Sequence, residues 1–243
     1  MAASSIIHGH RQPAPETIPM PRRILVFDVN ETLLDLADLD PVFAQLFGDK
    51  SARKSWFASL LHWSTVTTLT GTYQDFGALA DACLDDLAGK LDLSLGASDK
   101  QRVFDAIASL PLHAEVPGAL ARLESAGFTL VALTNSAQAT VDEQFAQTGL
   151  TPLFSQVLSV QRAGVFKPHP QAYALAAQAM DCPLESLRLI AAHDWDVTGA
   201  IRAGCAAAFV ARNGARLNPA GEIPDIVAPD LDAVAQQVVA VDG

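Results

Sequence analysis

Four short stretches of the chain gather the side chains that chemistry needs. In ILVFDVNETLLDL an aspartate, Asp28, follows four apolar residues, and a hydroxyl, Thr32, stands four positions later. A carboxylate delivered to a strand end, beside a turn whose N–H groups point inward, suits a nucleophile or a metal ligand. The plainer alternative is a helix cap. TNSAQAT, Thr134 to Thr140, puts polar side chains where a strand hands over to a helix, which makes either an anion site or an ordinary N-cap. In GVFKPHPQAY, Lys167 is followed by two prolines that restrict the backbone around it. Such a lysine neutralises Asp28, balances developing negative charge, or simply lies on the surface. RLIAAHDWDVTGA, Arg188 to Ala200, brings His193, Asp194, Trp195 and Asp196 directly behind an apolar run. His193 fits a base, a group that orients a ligand, or a satisfied structural residue. No single stretch decides, but four that end at one sheet edge point to one site.

The elements that position them follow from the same pattern. Short apolar runs recur in RRILVFDV, FTLVALTN, LFSQVLSV, LRLIAA and AAAFVAR. Between them, stretches such as Ala137 to Thr148 and Pro170 to Met180 carry apolar residues at three- and four-residue spacing. Strands alternating with helices predict an α/β fold, a Rossmann-like, mainly parallel sheet with helices on both faces. Ligands of such sheets gather at the C-terminal strand ends, where Asp28, Thr134 and His193 to Asp196 fall. The interval between the first two strands is too long for one crossover. Residues 39–110, with WFASLLHWSTVTTL and FGALADACLDDLA, are therefore expected to form an inserted helical cap. The core is expected over 22–38 and 111–243, with Gly127 closing a helix before the second strand. A short edge strand near Asp225 to Val227 and a helix from Leu231 to Val239 complete it. Residues 1–21 are expected to be a flexible extension.

Composition narrows the function. The 243-residue chain carries a net charge of -11, which leaves no basic stripe for a nucleic acid. Cys83, Cys182 and Cys205 are too widely spaced for a disulfide scaffold or a zinc site. No run of 18 apolar residues is present to span a membrane. The first 21 residues lack the apolar stretch of a secretory signal, so a cytoplasmic location is expected.

In order and spacing, these stretches resemble the haloacid dehalogenase superfamily, and within it the type II 2-haloacid dehalogenases. The resemblance runs from about Arg23 to Ala211. It rests on D-x-x-x-T at Asp28, Thr-Asn at Thr134, K-P at Lys167 with Tyr173 six residues on, and W-D-x-T-G-A from Trp195. It implies an inserted cap, no cofactor, and a small anionic 2-halo carboxylic acid as substrate. Asp28 is then the nucleophile that displaces halide from C2 and forms an ester, and Thr32 the hydroxyl that holds it. Thr134 and Asn135 bind the substrate carboxylate, Lys167 pairs with the nucleophile, and Tyr173 lies nearby. Asp196 completes the site and helps to activate the water that cleaves the ester. A homodimer through the cap helix around Trp56 to Leu69 is also in keeping with the family.

Departures from that family pattern bear on what is attacked. Phe57 stands where the family has its halide-binding arginine, and Arg53, one turn earlier, is expected to be an exposed basic residue. Ala191 and His193 replace Ser and Asn, and Asn30 and Glu31 replace Tyr and Gly. His193 is left to orient water or to donate to Asp28. Asn30, Phe57 and Trp195, with Leu61 and Trp63, are the remaining expected lining of the substrate pocket. Two other readings compete. A magnesium-dependent phosphatase needs a proton donor where Asn30 stands and an acidic ligand where Ala191 stands, with Asp194 the nearest substitute. A catalytically silent binding protein has no need for Asp28, Thr32, Lys167 and Asp196 together.

Overall fold

The apolar runs become six strands of one parallel sheet in the computed structural model, which describes residues 23–243. The extension expected over residues 1–21 lies outside them. In chain order the strands are β1 (Ile24–Phe27), β2 (Leu130–Thr134), β3 (Gln156–Ser159), β4 (Leu187–Ala191), β5 (Ala206–Val210) and β6 (Ile226–Ala228). Their spatial order is β3-β2-β1-β4-β5-β6. β2 and β4 are buried at every position, as strands covered on both faces must be, which is why they read as unbroken apolar runs. The chain leaves β1 toward β2 on one side and returns to β4 on the other, so the strand order reverses at β1. The crevice beyond the C-terminal end of that strand is where an open α/β sheet binds ligands, and Asp28 is the next residue.

Of the five helices between β1 and β2, four form the insertion: α1 (Asp40–Phe47), α2 (Ala52–Leu69), α3 (Phe76–Lys90) and α4 (Ala97–Ala108). They share an aromatic seam in which the Phe43 ring lies 5.3 Å from Trp56 and 5.5 Å from Phe47. The Trp56 indole N–H donates to the Ala80 carbonyl at 3.0 Å, tying α2 to α3. Trp63 differs from expectation: it is 46% exposed on the outer side of α2 and lines no pocket with Phe57. Among the described residues no helix is long and apolar enough to cross a membrane.

The remaining helices are α5 (Val116–Ser125), α6 (Gln138–Thr148), α7 (Pro170–Ala179), α8 (Asp194–Ala203) and α9 (Leu231–Asp242). Gly127 follows α5 with φ of 82°, a conformation glycine enters without steric cost, and turns the chain into β2. The final helix is anchored by charge as well as by packing. Arg188 on β4 is fully buried and donates to both Asp225 oxygens (2.5 and 2.8 Å), to both Asp242 oxygens (2.5 and 3.1 Å) and to the Ala207 carbonyl (2.9 Å). Arg23 adds a second cation to Asp242 at 2.5 Å. Removing one partner of a buried ion cluster strands the others without water. Arg188→Met is therefore expected to cost about 3 kcal/mol of unfolding free energy in urea titrations. Its thermal midpoint should fall, while the sheet's circular dichroism at low temperature is retained.

Candidate active site

Asp28 leaves the end of β1 with its backbone N–H held by the Ile190 carbonyl at 3.0 Å, so its position is set by the sheet rather than by a loop. The turn that follows is closed by Leu33 and Leu34 N–H groups on the Val29 carbonyl (2.8 and 3.1 Å). Arg212, just after β5, clamps the Thr32 carbonyl with two N–H groups at 2.6 and 3.2 Å. Thr32 in turn donates its hydroxyl to Asp28 Oδ2 at 2.7 Å and accepts the Ala192 N–H at 2.9 Å. The residue between, Glu31, has φ of 61°, the left-handed region that a residue with a Cβ rarely occupies.

Lys167 is wholly buried, not a surface lysine. Its ammonium donates to Asp28 Oδ1 at 2.8 Å, to Asp196 Oδ2 at 2.7 Å and to the Leu133 carbonyl at 3.0 Å, which uses all three protons. Burial alone would lower its pKa, but Asp196 and Asp28 raise it above the ordinary lysine value. The Lys167 N–H donates to Asn135 Oδ1 at 3.0 Å. The buried Asn135 Nδ2 has no partner among the described residues. Asp196 Oδ1 accepts the Tyr173 hydroxyl at 2.6 Å, so both Asp196 oxygens are held. Burial and the nearby Asp28 charge push its pKa up, and Lys167 and Tyr173 only partly oppose them. Burial likewise opposes ionisation of Asp28, yet Lys167 and His193 outweigh it and hold that carboxyl far below its ordinary value. Asp28 is thus a carboxylate at any neutral pH.

His193 stands between two carboxylates. Its Nδ1 is 3.2 Å from Asp28 Oδ2 and its Nε2 is 2.8 Å from Glu31 Oε2. Both acceptors require both ring nitrogens to carry protons, so this is an imidazolium. Burial would lower its pKa, but the bonds to Asp28 and Glu31 push it up to about 10. The Phe57 ring lies 6.0 Å from the His193 ring, and Trp195 stacks 5.2 Å from it.

The expected substrate residues do not all meet. Asn30, Ser136 and Phe57 line a mostly apolar cavity of about 50 Å³ between the sheet edge and helices α2 to α4. Trp195 and Leu61 instead line a separate, more open hollow of about 300 Å³ beside Lys167 and Pro168. Thr134 is buried, and its hydroxyl accepts the Ser136 N–H at 3.1 Å. Asn30 Nδ2 donates to the Ser136 hydroxyl at 3.1 Å, and its buried Oδ1 has no partner among the described residues.

Arg53 is a correction: it is 5% exposed, not a surface residue, and is bound by Asp40 at 2.5 Å and Glu31 at 3.4 Å. An arginine shared by two carboxylates is neutralised where it stands. Asp194 accepts the Trp195 N–H at 2.8 Å and the Asn218 N–H at 3.1 Å, so it serves local backbone. Ser136 and Arg212 are neighbours of the site that pattern reading did not single out, and Glu31 entered only as a replacement for the family's Gly. A charged residue between Asp28 and Thr32 was the one signal for it.

The family model for haloacid dehalogenase-like hydrolases matches residues 23–204, most of the chain. The chain belongs to this family. A haloacetate dehalogenase of Moraxella sp. (strain B) is 26% identical over 216 residues, covering 88% of this chain and 96% of the relative. An (S)-2-haloacid dehalogenase of Pseudomonas sp. (strain CBS-3) is 30% identical over 182 residues, covering 74% and 80%. The structure of the L-2-haloacid dehalogenase of Xanthobacter autotrophicus with covalently bound chloropropionic acid superposes with a TM-score of 0.84 at 25% identity. It covers 90% of this chain and 99% of that one. The resemblance expected from the four stretches is therefore borne out, and so are the α/β core and the inserted helices.

Two expectations follow from the geometry. A Cβ at Gly199 would lie 2.5 Å from the Tyr173 hydroxyl and 3.0 Å from Pro168 Cα, so α8 can approach the lysine loop only with glycine there. Gly199→Ala is expected to cost about 2 kcal/mol of stability by overpacking. It should also lower turnover, because Tyr173 and Pro168 position Asp196 and Lys167. The second concerns pH. Folding raises the His193 pKa from 6.5 to about 10, so its contribution is complete below pH 6.5 and disappears as pH rises through about 10. Melting midpoints should fall across that window, and His193→Asn should flatten the fall.

Proposed function

We propose that the protein is a hydrolytic dehalogenase that displaces halide from C2 of a short 2-halo carboxylic acid and releases the 2-hydroxy acid. The observation that carries the reading is the unequal state of the two Asp28 oxygens. Oδ2 accepts from Thr32 and His193, whereas Oδ1 accepts from Lys167 alone and keeps a lone pair to attack carbon. The carboxylate is ionised without a base, and halide leaves without an acid, which suits a site whose residue two positions after the nucleophile is Asn30.

Attack by Oδ1 on C2 forms the aspartyl ester and expels the halide with the bonding pair. Asn135 Nδ2, buried and without a protein partner, supports binding of the substrate carboxylate beside Lys167. Phe57 offers the departing anion the positive edge of its ring, with the His193 imidazolium next to it. Asp196 takes a proton from the water that cleaves the ester. The names of the curated relatives, one a haloacetate dehalogenase and another an (S)-2-haloacid dehalogenase, support the same substrate class.

Incubation in EDTA with the separate enantiomers of 2-chloropropionate and 2-bromopropionate tests this reading through halide release. Release from one enantiomer and its loss in Asp28→Asn are expected. Lys167→Met should retain less than about one hundredth of the wild-type rate, because a buried charge partner of the nucleophile is gone. Absence of halide release from every substrate, with phosphate-ester turnover on adding Mg²⁺, would overturn it.

A further inference from the structure

Glu31 is a side chain that neither the family resemblance nor the reaction just described uses, and it is held under strain. Its φ of 61° costs a residue with a Cβ free energy that a glycine would not lose, and such residues persist where surroundings over-determine them. Four contacts do so here. The Glu31 N–H donates to the Leu34 carbonyl at 2.8 Å, and its own carbonyl meets His113 Nε2 at 3.2 Å. Its carboxylate accepts from His193 at 2.8 Å and lies 3.4 Å from Arg53, which Asp40 fixes from the other side. A row of alternating charge thus runs from the cap to the nucleophile: Asp40, Arg53, Glu31, His193, Asp28.

We propose that Glu31 is a positioning residue that keeps His193 doubly protonated after Asp28 has been esterified, so that His193 and Thr32 together form the oxyanion hole for ester hydrolysis. The inference rests on the aspartyl-ester reading above. In the free enzyme two carboxylates hold the imidazolium. Once Oδ1 is bonded to C2 the Asp28 charge is gone, and Oδ2 has become a carbonyl oxygen. Among the described residues Glu31 is then the only carboxylate still bonded to the ring. Without it, a buried imidazole would lose the Nδ1 proton or turn that donor away.

The balance of the step is simple. Water attacks Cγ of Asp28 and passes a proton to the Asp196 carboxylate, while the carbonyl π pair moves onto Oδ2. The oxyanion meets Thr32 Oγ1 and His193 Nδ1, donors that already lie 2.7 and 3.2 Å from that atom. The pair then re-forms the carbonyl, and the Cγ–Oδ1 bond breaks. Oδ1 departs on C2 of the hydroxy acid with the proton from Asp196. The new Asp28 carboxyl, carrying the water oxygen, releases its remaining proton to solvent. Donors fixed in a dry site before charge develops need no reorganisation, and each contributes about a hundredfold or more.

The charged groups around His193 are Asp28 and Glu31 on the β1 loop, with Lys167 and Asp196 behind Asp28 and Arg53 on α2 behind Glu31. Asp194, the next residue, is bonded to backbone N–H groups. Phe57 and Trp195 pack against the ring, and among the described residues the only carboxylates hydrogen-bonded to it are Asp28 and Glu31.

The test is single-turnover kinetics with the 2-halo acid that the wild-type protein turns over. Halide is read for ester formation, and intact-protein mass for ester decay. In Glu31→Gln the ratio of decay to formation is expected to fall about a hundredfold, so that the ester accumulates. Glu31→Gly, which suits the left-handed backbone, should do the same and serves if the glutamine variant folds poorly. The His193 imidazole, followed by NMR, should lose its proton at lower pH in either variant. Ester decay unchanged in both variants, or both half-reactions slowed equally, would overturn the assignment. Failure of the wild-type protein to release halide at all would remove the aspartyl-ester reading and this inference with it, and would be visible before any variant is compared.

Discussion

A lysine ammonium with no water around it cannot exist unless its surroundings return what hydration gave. Lys167 meets that constraint with three oxygens, from Asp28, Asp196 and the Leu133 carbonyl, each at or within 3.0 Å. The requirement runs both ways. Two aspartates this close would repel each other and take up a proton between them, and the ammonium bonded to both is what lets Asp28 stay ionised. Its placement draws on strands β1 and β2, the start of α8 and the loop before α7, so no one element builds the site. Gly199 shows how far packing follows: α8 must come near enough for Tyr173 to reach Asp196, and a methyl group would already collide.

The parallel sheet explains why these elements converge. Its strands end on one edge, and reversal of strand order at β1 opens a crevice there without any residue being spent on making a cavity. Rigidity comes from strand hydrogen bonds, as with the Asp28 N–H on Ile190, so Asp28 is held by structure that does not depend on the ligand. Helices α1 to α4, inserted at that edge, then close an apolar space over Asn30 and Ser136. An excluded solvent strengthens every charge interaction beneath it.

What could be read from the sequence follows from this division. The buried strands carry apolar residues at nearly every position, so their runs, and the polar residues at their ends, are visible without a fold. Asp28, Lys167 and Asp196 could be grouped because Asp28 and Asp196 stand behind such runs and Lys167 stands just before two prolines. Arg53 could not. Its surroundings in sequence, SARKSW, suggest an exposed basic face, and only the approach of Asp40 and Glu31 from other elements buries it. Trp63 fails for the opposite reason: it follows the buried Leu60 by three residues, which suggests a shared inner face, but its side chain is turned outward. Glu31 has no periodic signature, because its role depends on a backbone angle and on a histidine 162 residues away.

Charge conservation links the two halves of the chemistry. Before reaction, the core of the site contains the carboxylates of Asp28, Asp196 and Glu31 and the cations of Lys167 and His193, with Arg53 shared between Glu31 and Asp40. On the proposed aspartyl-ester route, forming the ester and losing halide removes one negative charge from the substrate-bound interior and leaves the cations in place. The bound acid brings its own carboxylate, so the intermediate has the formal charge of the resting site. The anion on Asp28 itself is gone, however, which leaves a local positive excess where hydrolysis must create an anion. A guanidinium free at the position of Phe57 would add to the excess and favour halide departure, but its charge would not be directed at Oδ2. With a phenyl ring there and the nearest arginine neutralised by carboxylates, the positive charge that remains mobile in effect is the imidazolium of His193. The geometry thus weights the site toward cleaving the ester, at the expense of help to the leaving halide.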